Sequence, residues 1–359
     1  MTFPTPWRQR VTYSAFLPWM NPTYSCVFRN SLCMKVFSHL SLILLFLAQA
    51  PLAKSGEVTF EKLEDRIRVE VDGELFTEWQ HKAWKAPYLY PVIGPNGVGV
   101  TRNYPMKTGI EGEQEDHPHH RSIRFSHRNV NGLSFWAPDS KQGGHEASIE
   151  LEKVETMEAG NPGTLVLRNR WMGDGKLVLT EVVTLRFHPL EKREMLMDFD
   201  IAMTAGAEDV TFHDEKDGGV SIRVAGSMKV EDRKTKEGKG TIVNSNGQKN
   251  SEAWGKKAEW CDYYGPDSTG KTVGVAIFDH PGNLRYPTNW HARTYGLLTA
   301  NRFGKGFFEA KDGAKRGDGD YTIKAGESLA LRHRFFFHHG DPDSAGVQKQ
   351  FANYAAESK

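Results

Sequence analysis

Four of the fourteen histidines fall in one stretch of twenty-one residues: His117, His119 and His120 within Asp116-His117-Pro118-His119-His120-Arg121, and then His127. Imidazole titrates nearest neutrality and is the commonest metal ligand, so this density points to proton transfer, metal binding or the anchoring of a polar ligand. A single histidine is ordinarily just a hydrogen-bonded side chain. A run of three beside an aspartate asks for more.

Two chemistries fit those residue types. In the first, His119 or His120 supplies the acid, Asp116 fixes one ring in a chosen tautomer, and a separate group is the base. In the second, His117 and His119 bind a transition metal. Pro118 favours an extended residue before it, and alternate residues of an extended segment point to the same side, leaving His120 on the other. Asp116 or His280 would complete such a site, but no His-Glu-x-x-His spacing accompanies it. The reading adopted is a site without a cofactor, with the metal as the lesser alternative.

The elements that must position these residues are strands. Arg66 to Val71 alternates polar and apolar and stops at Asp72-Gly73, a hairpin signal. Thr164 to Leu167 runs toward Gly173-Asp174-Gly175, after which Leu177, Leu179, Val183, Leu185 and Phe187 share a face with Glu181. Met195 to Ile201, Val220 to Val224, Val273 to Ile277 and Leu329 to Phe337 repeat the period of two. Helical spacing is convincing only at the end, where Asp341 can cap a helix beginning at Pro342, with Val347, Phe351 and Tyr354 on one face. Residues 229–257 are polar and without period, and read as an exposed excursion. The whole predicts an all-β, mostly antiparallel sandwich with a short C-terminal helix.

The first fifty residues do not read as part of that fold. Met34-Lys35, the apolar run Leu40 to Leu47 and the small-x-small pattern Ala48-Gln49-Ala50 describe a secretory signal peptide over 34–53, preceded by an extension (1–33) that implies a start assigned too early. The expected mature domain is 54–359, periplasmic or extracellular. Residues 1–53 carry four basic residues and no acid, so the mature chain has 42 basic and 45 acidic residues, a formal charge of −3. That balance argues against nucleic acid and anionic membranes as partners, and no mature apolar run is long enough to span a bilayer. Cys261 alone remains, so no intrachain disulfide is expected.

Three loop stretches hold the remaining polar and aromatic candidates: Pro87 to Arg102, the histidine stretch, and Asp279 to Gly296. The combination of Pro91 to Gly97 with Thr101-Arg102, Asp116 to Arg121, Asn131-Gly132 with Phe135-Trp136, Gly218-Gly219 with Arg223, Phe278 to Pro281 with Asn283, and Trp290 to Gly296 resembles the secreted bacterial PmoA-like family. The family's name evokes a methane oxygenase subunit, an integral membrane protein, which does not suit this chain. Its architecture is similar to the galactose-mutarotase-like β-supersandwich of sugar epimerases and polysaccharide-processing enzymes.

The resemblance implies a carbohydrate or sugar-acid ligand, and the loop residues have suitable chemistry. Planar polar side chains bond sugar hydroxyls, and aromatic faces stack on the C–H surface. The expected catalytic set is His119, His120, Asp116 and Asp279, the last as base, with His280 and Glu181 as other bases. The expected binding set is Arg102, His117, Arg121, Asn131, Trp136, Arg223, His280, Asn289, Trp290 and Arg293, the arginines suiting a carboxylate. Epimerase or mutarotase, lyase and hydrolase chemistry all fit. The rivals are a noncatalytic carbohydrate-binding module and a metal-dependent oxidoreductase.

Overall fold

Period-two sequence becomes two eight-stranded antiparallel sheets in a computed structural model that describes residues 56–232 and 235–357. The leader expected at 34–53 and the extension before it lie outside the described residues. In spatial order the first sheet holds Val58–Lys62, Arg66–Val71, Glu74–Gln80, Tyr88–Val92, Ile123–His127, Gly218–Arg223, Leu297–Asn301 and Asn289–Trp290. The second holds Thr241–Asn244, Trp260–Pro266, Thr272–Asp279, Ser328–His339, Met195–Ala205, Lys176–Pro189, Gly163–Gly173 and Ala147–Glu158. Val210–Phe212 pairs with Tyr321–Ile323 as a separate ribbon.

The sheets pack face to face. Gly163–Gly173 alternates buried and half-buried residues along its whole length, as expected of a strand with one face in the core. Phe76 of the first sheet meets Phe187 and Phe337 of the second edge-on, with ring centroids 5.9 and 5.6 Å apart. Phe125 similarly meets Trp171 at 5.8 Å. The sandwich and the antiparallel pairing agree with the sequence reading.

Turn chemistry sets the hairpins. Asp72 and Gly73 both take positive φ (52° and 79°), as do Asp174 and Gly175 (45° and 76°), the two-residue geometry whose twist matches paired strands. At the C-terminus Asp341 accepts from the Ser344 amide at 2.8 Å in a reciprocal capping box, with Pro342 in the first turn. The helix expected to be continuous breaks at Gly346, which has positive φ, so Pro342–Ala345 and Val347–Ala356 are separate. Val347, Phe351 and Tyr354 are buried as expected, packing on the outer face of the second sheet against Phe278 and Phe336.

The stretch 229–257 is not wholly an excursion. Thr241–Asn244 forms an edge strand on Trp260–Pro266, with Ile242 fully buried. Two apolar residues between long polar runs are too short to show a period, yet an edge strand needs only one buried side chain to fix its register.

Candidate functional site

A 30-residue connection from Ile93 to Ser122 joins Tyr88–Val92 to Ile123–His127 and carries the histidines. Ile123 begins its strand, Arg223 ends the neighbouring one and Leu297 begins the next, so all three lie at one end of the first sheet. The Arg102 amide donates to the Arg223 carbonyl (3.0 Å), and the Arg223 amide to Ser122 (2.9 Å). Gly218 and Gly219 are required by this close strand packing. A Cβ on Gly218 would lie 2.1 Å from a His127 ring nitrogen, and one on Gly219, where φ is 97°, 1.9 Å from the Ala300 carbonyl oxygen.

Arg102 organises the loop. Its guanidinium, 2% exposed, donates to Asp116 Oδ1 at 2.8 Å and to the carbonyls of Asp116 (2.7 Å), His117 (2.9 Å), Gln114 (3.2 Å) and His120 (3.3 Å). Arg223 approaches the same carboxylate oxygen at 3.2 Å and lies over the Tyr295 ring at 4.5 Å. Burial works against ionisation of Asp116, but the His117 hydrogen bond and the charges of Arg223, His117 and Arg102 outweigh it and hold the carboxyl well below its usual range.

The imidazoles form an ordered group. His117, at φ 46°, lies 2.9 Å through Nδ1 from Asp116 Oδ2. Its ring is parallel to those of His120 (4.7 Å) and Tyr295 (5.5 Å). His119 stands edge-on to His120 at 4.5 Å, and Trp136 closes on both. Arg223 Nη1 is 3.4 Å from His120 Nδ1; a guanidinium can only donate, so the His120 ring proton belongs on Nε2.

Burial, followed by the charge of Arg124, pushes His119 down to about 4, and burial with the neighbouring His119 and Arg223 pushes His120 well below its ordinary value. Both rings are therefore neutral near pH 7. His120 is buried and engaged, whereas His119 is half-buried and its ring nitrogens make no hydrogen bond among the described residues. A neutral ring with a lone pair accepts a proton or a hydroxyl hydrogen; it is poorly suited to start as the acid. No group of three or more His, Cys, Asp or Glu among the described residues is arranged to hold a metal ion.

The arginines divide by accessibility. Arg102 and Arg223 are spent on the loop. Arg121 lies over Trp84 at 4.5 Å, and Arg124, which sequence reasoning missed, lies over the same ring at 4.6 Å and donates to the Phe135 carbonyl. Burial beside Arg121 pushes Arg124 down to about 9. Arg293, half-buried 5.4 Å from the Tyr295 ring centre, has no ion-pair partner among the described residues and, like Arg121, is a cation left for a ligand. Tyr295 itself was inside a stretch marked by sequence but was not singled out.

Other expected site residues lie apart from this group. Asn131 follows Ile123–His127 and so sits beyond its opposite end, bonded to the Thr211 amide (2.8 Å) and the Asp209 carbonyl (2.9 Å). Asn289 is buried and donates to Gly255 and Glu309, both at 3.1 Å. Trp290 is fully buried, its indole N–H on the Ala258 carbonyl at 2.9 Å, leaving no face for a ligand. Asp279 is likewise fully buried and accepts from Asn283 (2.7 Å), the Thr288 amide (2.8 Å) and Arg302 (3.0 Å). It organises the turn after its strand and cannot meet a ligand. His280 faces the outer side of the second sheet, where Arg332 and the Gly282 amide donate to its Nδ1. Glu181 lies inside the sandwich, receiving Asn169 Nδ2 at 2.9 Å, and burial pushes it up to about 7.

The chain belongs to a family of unknown function, DUF6807, whose profile matches residues 66–352. No curated protein matches its sequence. Among solved structures it is similar to a polysaccharide lyase at 13% identity and a TM-score of 0.22, over 55% of this chain and 33% of the lyase. The chain thus spans about a third of that protein's length, and a likeness so slight has no bearing on mechanism.

Proposed function

We propose that this member of the DUF6807 family is an exported carbohydrate-active protein whose histidine loop binds a sugar or sugar acid, with His119 as the proton acceptor. The observation that carries the reading is the half-buried, neutral His119 ring, whose nitrogens make no hydrogen bond among the described residues, beside a loop clasped by Arg102, Arg223 and Asp116. Around it, the half-buried Arg293 is an available cation, suited to an acidic ligand, while Trp136 is buried behind the rings as packing. The similarity of its motifs to secreted PmoA-like proteins, and through them to mutarotase-type sandwiches, supports the same ligand class.

In this account Arg102, Arg223 and Asp116 are positioning residues. They fix the backbone from Gln114 to His120 and the His120 tautomer, so that His119 is presented in one orientation. His119 takes a proton from a sugar hydroxyl or an acidic ring carbon, and Arg293 compensates a carboxylate. Asp279 takes no part.

A titration calorimetry screen of neutral and uronic mono- and oligosaccharides tests the binding half. Saturable binding of an acidic saccharide, weakened about tenfold by Arg293→Gln while a neutral analogue is unaffected, is expected. Absence of binding across such a panel overturns the reading.

A further inference from the structure

On the outer face of the second sheet, opposite the core, the strand residues Arg186, Asp198, Asp200, Arg332 and Arg334 and the helix Val347–Ala356 enclose a cleft of about 740 Å³. Its floor alternates in charge because adjacent strands pair Arg186 with Asp198, Asp198 with Arg334 and Asp200 with Arg332. Most of these groups are satisfied. Arg334 Nε donates to Asp198 Oδ1 at 2.5 Å and its Nη1 to Glu357 at 2.6 Å; His188 lies 3.0 Å from Asp198, and Arg186 donates to Asp200 at 2.8 Å.

Two donors are not. The Arg332 guanidinium has no carboxylate partner among the described residues, and its Nη2 contacts only the Nδ1 of His280, at 2.7 Å. The Tyr354 hydroxyl, on a residue 4% exposed, has no hydrogen-bond partner among the described residues. Both residues line the cleft beside His280, whose ring lies 5.2 Å from that of Tyr354. Burial, followed by the charge of Asp200, pushes the Tyr354 hydroxyl well above its ordinary range, so it stays protonated and can only donate in this role. A buried hydroxyl without an acceptor costs free energy that a ligand would restore.

We propose that this cleft is a second ligand site, taking a carboxylate-bearing polyol such as a uronic acid, with the carboxylate received by Arg332 and Tyr354 Oη. The bonded Asp198, Asp200 and Arg186 line the remainder with fixed acceptors and donors for hydroxyl groups. The volume is in the range of small-ligand pockets. The site is distinct from the histidine loop and does not depend on it.

Galacturonate is the probe, with galactose as the neutral counterpart, titrated by calorimetry into the full chain carrying Arg293→Gln, so that acid binding at the histidine loop is suppressed and the cleft is read by itself. The expected result is saturable galacturonate binding, at least about tenfold tighter than galactose. Arg332→Gln should weaken it about tenfold or more, and Tyr354→Phe by roughly threefold to tenfold, with the unliganded melting temperature of Tyr354→Phe unchanged or raised because an unpaired hydroxyl is removed. Binding no tighter for galacturonate than for galactose, or unchanged affinity in both cleft variants, would each overturn the proposal.

Discussion

Arg102 and Asp116 form an ion pair at 2.8 Å in which the arginine is 2% exposed and also donates to backbone carbonyls on both sides of the aspartate. The pair is thus the clasp of the histidine loop, and its partners are lost together if the guanidinium is removed. Arg102→Met should destabilise the protein by about 3 kcal/mol, because it strands the loop carbonyls and takes from Asp116 one of its cationic partners, leaving Arg223. It should also release amide protection over residues 112–121 in hydrogen exchange. Unchanged protection there would show that the loop is held by something else.

Glu181 should leave a pH signature in stability. Its folded-state value, about 7, is above that of an unfolded glutamate, so the folded state binds the extra proton. The contribution is fully present below about pH 4.5 and is lost as pH rises through 7, amounting to roughly 3 kcal/mol for so buried a group. Urea unfolding from pH 4.5 to 8 should show wild type losing that amount relative to Glu181→Gln. Parallel curves for the two proteins would remove the claim.

The buried histidines act in the opposite sense. His127 and His291 are each pushed down to about 4, chiefly by burial, so the folded state resists a proton that the unfolded chain accepts near 6.5. Their contribution is present above about pH 6.5 and is lost as pH falls toward 4, at about 1.4 kcal/mol per pH unit per group in that window. His127→Gln should flatten the acid limb of the stability profile. A limb as steep as that of the wild type would contradict the assignment.

Metal content follows from the ligand count: no group of three or more His, Cys, Asp or Glu among the described residues is arranged to hold an ion. Protein purified in metal-replete medium should carry transition metal well below stoichiometry by elemental analysis. One equivalent that disappears with His119→Ala would move the loop from acid–base chemistry to coordination.

The strands were legible because a one-sided sheet writes its buried face into every second residue, as in Leu329, Leu331, Phe335 and Phe337. The cap at Asp341 and the hairpin turns are local and were legible for the same reason. Convergence of the loops is not local. His120 precedes the strand Ile123–His127 and Asn131 follows it, so residues eleven apart in sequence end on opposite sides of a strand about 16 Å long. Trp290 read as a stacking residue because Asn289 and His291 flank it, yet those polar neighbours are themselves buried and bonded to the Gly255 and Lys216 carbonyls. Arg102 and Arg223 looked like ligand clamps, since nothing in their sequence neighbourhood reveals that Arg102 finds loop carbonyls and Asp116, and Arg223 the side chains of Asp116 and His120.

The central claim is that His119 moves a proton on a bound saccharide. Once a bound saccharide and its reaction are identified, the decisive measurement is the single-turnover rate and the dissociation constant of His119→Ala beside the wild type. The account predicts a rate lowered by about 10²-fold or more with binding within roughly threefold of wild type. A rate equal to wild type at equal occupancy would contradict it and leave the histidine loop a binding surface only.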